Sequence, residues 1–269
     1  MSETTKGQGT TREQRVALVT GGTSGIGLEI VRRLASAGTP VHLCGRSQET
    51  VSSTVKELVE EGLAVTGSVC DVREQEQIAE LVRTVVEQHG PIRILVNNAG
   101  RSGGGPTATI TDELWTDVIA TNLTSVFRVT KEVLTAGGMQ EAGRGRIVNI
   151  ASTGGKQGVV LAAPYSASKH GVVGFSKALG LELARTGITV NAVCPGFVET
   201  PMAEKVRAGY AGAWGVTEEE AYERITTRVP NGRYVQVREV AAMVEYLVGE
   251  DAAAVTAQAL NVCGGLGNY

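Results

Sequence analysis

The fold is decided by Val16-Ala17-Leu18-Val19-Thr20-Gly21-Gly22-Thr23-Ser24-Gly25-Ile26-Gly27, a short apolar run that breaks into glycines and then into a helical pattern. An unbroken apolar run of this length reads as a strand covered on both faces. The glycines form a tight turn whose backbone N–H groups and helix dipole suit a pyrophosphate, while Gly27 lets helix and strand pack closely. The turn therefore marks a dinucleotide site, with Gly21, Thr23, Ser24, Gly25, Ile26 and Gly27 as candidate residues. Its spacing departs from the common G-x-G-x-x-G, and such glycines also serve turn geometry alone.

Six further apolar runs, at residues 41–45, 64–69, 92–96, 146–150, 188–193 and 259–262, alternate with helical patterns. Residues 74–89 show the helical spacing, with Ile78, Leu81, Val82, Val85 and Val86 three and four apart. Seven buried strands between helices predict an α/β fold, a doubly wound (Rossmann) seven-stranded parallel sheet with helices on both faces. It forms a single domain over residues 16–269, and the polar residues 1–15 read as a disordered tail.

At 269 residues the chain can bury a sizeable core. Its net charge of −3 argues against nucleic acid or an anionic membrane as partner. The four cysteines are scattered and look like small buried hydrophobes of a reducing compartment; no Cys/His cluster suggests a metal. The uncharged run 252–269 carries Thr256, Gln258, Asn261 and several glycines, unlike a membrane span. A soluble, cytoplasmic protein is expected.

Chemistry concentrates in residues 151–169. Tyr165 and Lys169 are four apart, so a helix beginning near Pro164 places both on one face. The ammonium then favours the phenolate and draws a phenol that ordinarily titrates near ~10 toward neutrality. Ser152 follows the run 146–150, at a strand's carboxyl end, where α/β sheets put their ligands. Taken alone, the Tyr/Lys pair equally suits a solvated helix face.

The second strand ends in Cys44-Gly45-Arg46. A site for NADH would place an acidic residue there, whereas a guanidinium suits the 2′-phosphate of NADPH; an ordinary surface arginine is the plain alternative. Asp71 either contacts adenine or caps a helix starting near Arg73, and its neighbour Val72 is counted with the cofactor wall. Asn97-Asn98-Ala99-Gly100 follows the fourth strand as a loop flanking a cofactor would, and Asn122 sits amid Ile119, Leu123, Val126 and Phe127.

Together, Thr20-Gly21-x-x-x-Gly25-Ile26-Gly27, Asn97-Asn98-Ala99-Gly100, Asn122, Ser152, Tyr165-x-x-x-Lys169 and Pro195-Gly196 resemble the short-chain dehydrogenase/reductase family over nearly the whole chain. The resemblance implies a catalytic tetrad of Asn122, Ser152, Tyr165 and Lys169. Ser152 would hold a substrate carbonyl, Tyr165 protonate it, Lys169 bind the nicotinamide ribose and tune the phenol, and Asn122 position a water. Asn98, Ala99, Gly100, Pro195, Gly196, Val198 and Thr200 would complete the NADPH site beside Tyr165 and Lys169.

Within that family the chain is most similar to type II polyketide ketoreductases. The likeness rests on residues 152–159, on Cys194-Pro195-Gly196-Phe197-Val198-Glu199-Thr200-Pro201-Met202 and on residues 261–269. It implies reduction of one ketone of a carrier-protein-bound poly-β-ketone by NADPH. Ser102, Gly103, Gly104, Gln157, Val159, Tyr210 and Trp214 would meet the substrate. Those enzymes carry Pro-Gly-Gly-Gly where Ser102-Gly103-Gly104-Gly105 stands here, a departure that bears on product stereochemistry.

Residues 197–234 hold Phe197, Tyr210, Trp214, Tyr222 and Tyr234 with Gly209, Gly212 and Gly215, and read as a mobile lid or as a small satellite core. Arg46, Arg73 and Arg101 each follow a different strand and would line one crevice mouth, where similar enzymes receive an acyl carrier protein. A homotetramer is implied, and Gly171, Gly174 and Gly180 either admit a neighbouring copy or pack within the subunit. A 3-oxoacyl-[acyl-carrier-protein] reductase or a hydroxynaphthalene reductase shares the chemistry; a non-catalytic dinucleotide-sensing protein shares only the fold.

Overall fold

The structure is a computed structural model that describes residues 15–267 and Tyr269. The expected tail lies outside the described residues except for Arg15, whose guanidinium pairs with Glu250 at 2.7 Å and so belongs to the folded body.

The apolar runs become the strands β1 (Val16–Thr20), β2 (Val41–Gly45), β3 (Val65–Val69), β4 (Ile92–Asn97), β5 (Arg144–Ile150), β6 (Gly187–Pro195) and β7 (Ala259–Val262). They form one sheet in the order β3-β2-β1-β4-β5-β6-β7, with every pairing parallel. The chain reverses its direction of winding between β1 and β4, the crevice where such sheets bind ligands. The helices are α1 (Gly25–Ser36), α2 (Gln48–Glu60), α3 (Gln75–His89), α4 (Asp112–Ile119), α5 (Ser125–Leu134), α6 (Ala163–Glu182), α7 (Pro201–Trp214), α8 (Glu218–Thr226) and α9 (Val237–Val248).

Alternation along the strands feeds two cores. Val19, Val96 and Val148 face α1, α2 and α9, where Ile30, Leu58 and Val244 are buried. Leu18, Leu95 and Ile147 face the other way, against Ile78, Leu81 and Val129 of α3 and α5. Because both faces are covered, the central strands can be apolar throughout. The edge strands β3 and β7, expected to be buried like the rest, are mostly half-exposed since each has a neighbour on one side only. β5 and β6 start earlier than their apolar runs because Arg144 and Gly187 are already in register.

A polar seam crosses the second core. Asn97 Nδ2 donates to Thr130 Oγ1 at 2.9 Å and to Asn149 Oδ1 at 2.8 Å, and Asn149 Nδ2 donates to Ser176 Oγ at 2.9 Å. All four residues are buried, so the seam pins β4 and β5 to α5 and α6 in one register. Replacing Asn149 by Ala takes one partner each from Asn97, which keeps Thr130, and from Ser176, which keeps the Val172 carbonyl. With two buried hydrogen bonds lost at about 0.5–1.5 kcal/mol each, the expected loss is about 1–3 kcal/mol in urea unfolding. The slope against urea should stay unchanged, because the folded core keeps its extent.

Candidate active site

The glycine turn is held by side chains from the neighbouring strand. Thr20 Oγ1 accepts from the backbone N–H groups of Asn98 and Ala99, and Asn98 Nδ2 donates to the carbonyls of Thr20 and Gly21. Gly27 is forced by this packing: a Cβ there would lie 2.2 Å from the Gly21 carbonyl oxygen and 2.4 Å from Asn98 Nδ2. Ser24 stands at the N-cap of α1 without a side-chain cap hydrogen bond, and the first turn holds no acidic residue. An uncapped helix start with no carboxylate at it is a fitting seat for a pyrophosphate.

The other cofactor candidates lie around this turn. Thr23 reaches toward Gly45, next to the exposed Arg46, while Thr200 borders Gly25 and caps α7 by accepting from Ala203 N–H. Gly196, after Pro195 at the end of β6, presses against Cys263. Ile26, Val72 and Val198 turn their side chains into the cores, which leaves their backbones for a ligand. Asp71 is not the cap of α3, which is Glu74. Its carboxylate takes both the N–H and the guanidinium of Arg73, and Arg73 holds that carboxyl below the usual carboxylate range, with help from Arg46.

The proton-handling residues meet at the ends of β5 and β6. Pro164 opens α6 as expected, and this helix carries Tyr165 and Lys169 on one face, with Lys169 Nζ 5.8 Å from the centre of the phenol ring. Lys169 Nζ donates to the Ile150 carbonyl at 2.8 Å. Burial lowers its pKa to about 8. The expected acidification of Tyr165 by this ammonium is therefore corrected: burial raises the phenol's pKa, and a hydrogen bond with Ser152 pulls it back down. The phenol stays protonated at neutral pH, ready to give a proton. Ser152 Oγ also accepts from Gly154 N–H at 3.0 Å.

Asn122 lies in a π-helical turn, residues Ala120–Thr124, that joins α4 to α5. Such a bulge turns one side chain inward without ending the helix. Its amide is fully engaged, accepting from Arg101 N–H at 2.8 Å and donating to the Arg101 carbonyl and Ser168 Oγ. Ser168 in turn donates to the Tyr165 carbonyl at 2.7 Å, so the amide anchors the 100–102 loop to α6. Asn122 thus acts here through the backbone of the site, alongside the water-positioning role that family resemblance implies.

The loop holding Ser102, Gly103 and Gly104 runs against residues 159–162. Gly105 N–H donates to the Leu161 carbonyl at 2.7 Å, and a Cβ on Gly104 would sit 2.0 Å from that oxygen. Gln157 and Val159 follow a 3₁₀ turn, Thr153–Gly155, with Val159 against Gly154 beside Tyr165. From the far side Tyr210, stacked on Trp214 with ring centres 4.8 Å apart, donates to the Val160 carbonyl at 3.4 Å. The two readings of the aromatic segment divide its members. Phe197, Tyr222 and Tyr234 stack into a satellite core, while Tyr210 and Trp214 lean on the loop beyond Ser152.

Arg46, Arg73 and Arg101 do reach one edge, but carboxylates tie two of them. Asp117 of α4 pairs with both Arg73 and Arg101, and Asp71 takes the other side of Arg73. Asp117 was not among the sequence candidates; its one signal was its place in the first helix after that loop. Cys194, at the end of β6, was also missed. Its buried thiol takes the Ser152 backbone N–H and stands within electrostatic reach of Lys169. Among the described residues no cluster of His, Cys, Asp or Glu is fit for a metal, and no helix is long and apolar enough to cross a membrane.

Burying Lys169 has a measurable signature. Its folded pKa of about 8 lies below the ordinary 10.5, so between these values the unfolded chain binds a proton that the folded chain does not. Stability must rise with pH across that window, the full cost of burial being present below it. Wild type should gain up to about 3 kcal/mol relative to Lys169→Met from about pH 7.5 to 10.5 in urea unfolding. A difference flat in pH would contradict the assignment.

Comparison with known proteins places this geometry in a family. The model of the family described as short chain dehydrogenase matches residues 15–211. A protein of Streptomyces violaceoruber, assigned as ketoacyl reductase 1 of the granaticin polyketide synthase, is 71% identical over 96% of this chain and 95% of its own length. The 3-oxoacyl-[acyl-carrier-protein] reductase of Vibrio cholerae is 36% identical over 94% of this chain and 98% of its own. The crystal structure of a point variant of actinorhodin polyketide ketoreductase with NADPH superposes with a TM-score of 0.94, at 69% identity, covering 96% of this chain and 99% of that one. The chain belongs to the short-chain dehydrogenase/reductase family.

Proposed function

We propose that the protein is an NADPH-dependent ketoreductase of aromatic polyketide biosynthesis, reducing one ketone of a carrier-protein-bound poly-β-ketone to a secondary alcohol. The observation that carries this reading is the half-buried Tyr165 phenol, kept protonated beside Ser152 and Lys169 in a chain 71% identical to a polyketide synthase ketoacyl reductase.

NADPH supplies the hydride when bound. The uncapped start of α1 and the turn Gly21 to Gly27 would take its pyrophosphate, and Arg46, which unlike Arg73 and Arg101 is in no ion pair among the described residues, would take its 2′-phosphate. Asn98, Ala99 and Gly100 would wall the crevice between β1 and β4. Ser152 orients the substrate carbonyl by hydrogen bonding, and Tyr165 delivers its proton to the carbonyl oxygen as the oxygen gains charge. Lys169, beneath the phenol ring, favours the phenolate left behind. General acid catalysis of this kind contributes ~10²–10⁴-fold.

The substrate would lie between the 102–105 loop, residues 157–161 and the Tyr210/Trp214 pair. Val160 and Leu161, both exposed, line that mouth and suit an extended, partly apolar chain. Residues 197–234 act as its lid, with Tyr210 as the contact that opens. The Arg46, Arg73 and Arg101 edge, which keeps a net positive charge after Asp71 and Asp117 are counted, would receive an acidic acyl carrier protein. Phe127 is half-exposed against Phe175, and a Cβ on Gly174 would meet nothing, so the outer faces of α5 and α6 are shaped to meet further copies in a homotetramer. Gly171 and Gly180, by contrast, pack within the subunit against Leu123 and Ala257. The enzyme would work in the cytoplasm.

Incubation with the cognate polyketide synthase, its carrier protein and NADPH should yield a chain lacking one ketone. Efficient consumption of NADPH with a short β-ketoacyl thioester, but none with the polyketide, would move the assignment to fatty-acid reduction. Tyr165→Phe should lower turnover by roughly 10²–10⁴-fold while NADPH binding, read by fluorescence titration, stays within about twofold. Arg46→Gln should weaken NADPH by about tenfold or more and leave NADH unaffected, since only the phosphorylated nucleotide loses a partner.

A further inference from the structure

Lys156 directly follows the 3₁₀ turn Thr153–Gly155 and precedes Gln157, yet it takes no part in the proton transfer. An ammonium has three protons to donate. Here all three have acceptors: the Ala259 carbonyl at 2.8 Å, Asn261 Oδ1 at 3.0 Å and the Tyr269 backbone oxygen at 2.9 Å. The Nζ also stands 5.6 Å from the centre of the Tyr269 ring, a cation–π contact. These partners lie 103, 105 and 113 positions along the chain, so the contact is a tertiary tie and not turn geometry. A lysine so engaged has no donor left for a substrate. Its effect on the reaction has to pass through what it holds.

On one side it holds β7 and the segment after it, which folds back on itself. Asn261 Nδ2 donates to the Gly267 carbonyl at 2.9 Å, and Cys263 Sγ accepts from Gly267 N–H at 3.3 Å. Gly264 and Gly265, both at positive φ, turn this segment against Asn231 and Pro230 at the end of the lid, where Asn231 N–H donates to the Gly264 carbonyl. Gly196 of the cofactor wall presses on Cys263. On the other side it holds the turn behind Ser152. The turn's first half packs on α6, for a Cβ on Gly155 would lie 2.5 Å from the Lys169 carbonyl oxygen. Its second half, residues 156–159, is half-buried or exposed, with Val159 N–H bonded to Ser166 Oγ at 3.2 Å. Between these two anchors the Lys156 ammonium is the tie to the sheet.

We propose that Lys156 is a positioning residue for the ketone: by tying the 152–157 turn to the segment after β7, it sets where Ser152 and Gln157 meet the substrate. The inference deepens the ketoreductase reading and rests on it. Bonds from a charged donor are the stronger kind, which suits a tie that must resist the arrival of substrate. Misplacing a reacting group by about 1 Å costs as much as ~10²-fold in rate, so a small movement of the turn is enough to register.

The test combines kinetics with hydrogen exchange. With a bicyclic ketone and with a short β-ketoacyl thioester, Lys156→Met should raise the ketone KM about fivefold or more and lower kcat by about 10- to 100-fold, while the KM for NADPH stays within about twofold. A loss of folded protein alone would lower kcat and leave both KM values untouched. Lys156→Arg, which keeps a cation with N–H donors, should lie closer to wild type than to Lys156→Met. Asn261→Ala removes one acceptor and should shift the ketone KM the same way, adding nothing further in combination with Lys156→Met. In NADPH-saturated protein, exchange over residues 152–159, where the Ser152 and Thr153 carbonyls hold the N–H groups of Gly155, Lys156 and Gln157, should quicken in Lys156→Met while α3 is unchanged. If wild type reduces neither ketone, the ketoreductase reading fails, and exchange over 152–159 alone decides whether Lys156 holds the turn. Wild-type exchange there, or an unchanged ketone KM in Lys156→Met, overturns the proposal.

Discussion

The bond from the Lys169 ammonium to the Ile150 carbonyl is the contact on which the site depends. Withdrawing an ammonium from water costs several kcal/mol, and one hydrogen bond from a charged donor returns about 1.5–3 kcal/mol of that. The fold must therefore hold Lys169 in place by other means. It does so with the Asn97–Asn149–Ser176 seam, which locks α6 to β5, and with the Asn122–Ser168 bond, which locks the same helix to the loop after β4. Three buried asparagines and two serines thus supply the rigidity that an isolated buried charge lacks.

That arrangement also decides the phenol's state. A lysine fully charged and free beside Tyr165 would acidify it; a lysine bonded to Ile150 and with its own pKa lowered to about 8 does so weakly, and burial then dominates. The resting site stores its proton on oxygen. Negative charge has to arrive nearby before the ammonium is worth more than its desolvation costs, and a proton leaving Tyr165 is such a charge. The strain of burial is thereby converted into stabilisation of the state after proton transfer.

Strand positions, the position of the glycine turn and the Tyr165/Lys169 face were legible because each rests on local pattern: apolar runs, a broken run, a four-residue interval. Strand ends were not, since Arg144 and Gly187 join the sheet through backbone pairing that no side-chain pattern reports. The acid state of Tyr165 was misread for a related reason. Sequence places the ammonium on the right face but says nothing of the Ile150 carbonyl that claims it. Asp117 and Cys194 were invisible as site residues because their partners lie in other elements, Arg73 and Arg101 in one case, and are backbone or buried lysine in the other. The Ser102 departure keeps its loop against residue 161, since Gly104 and Gly105, not residue 102, make the close approach.

Arginine gathers at both edges of this sheet. At the carboxyl edge Asp71 and Asp117 tie Arg73 and Arg101 into a rigid ladder, so attraction for an acidic partner is spread along the rim and no single phosphate is gripped. Exposed pairs of this kind add little stability and chiefly fix where charge is presented. At the amino edge Arg15 and Arg146 share the Glu250 carboxylate in the same way. A chain with a net charge of −3 has gathered arginines at both ends of its strands. At the carboxyl end the counter-ions are built into the fold, so the charge that a partner meets there is fixed in place.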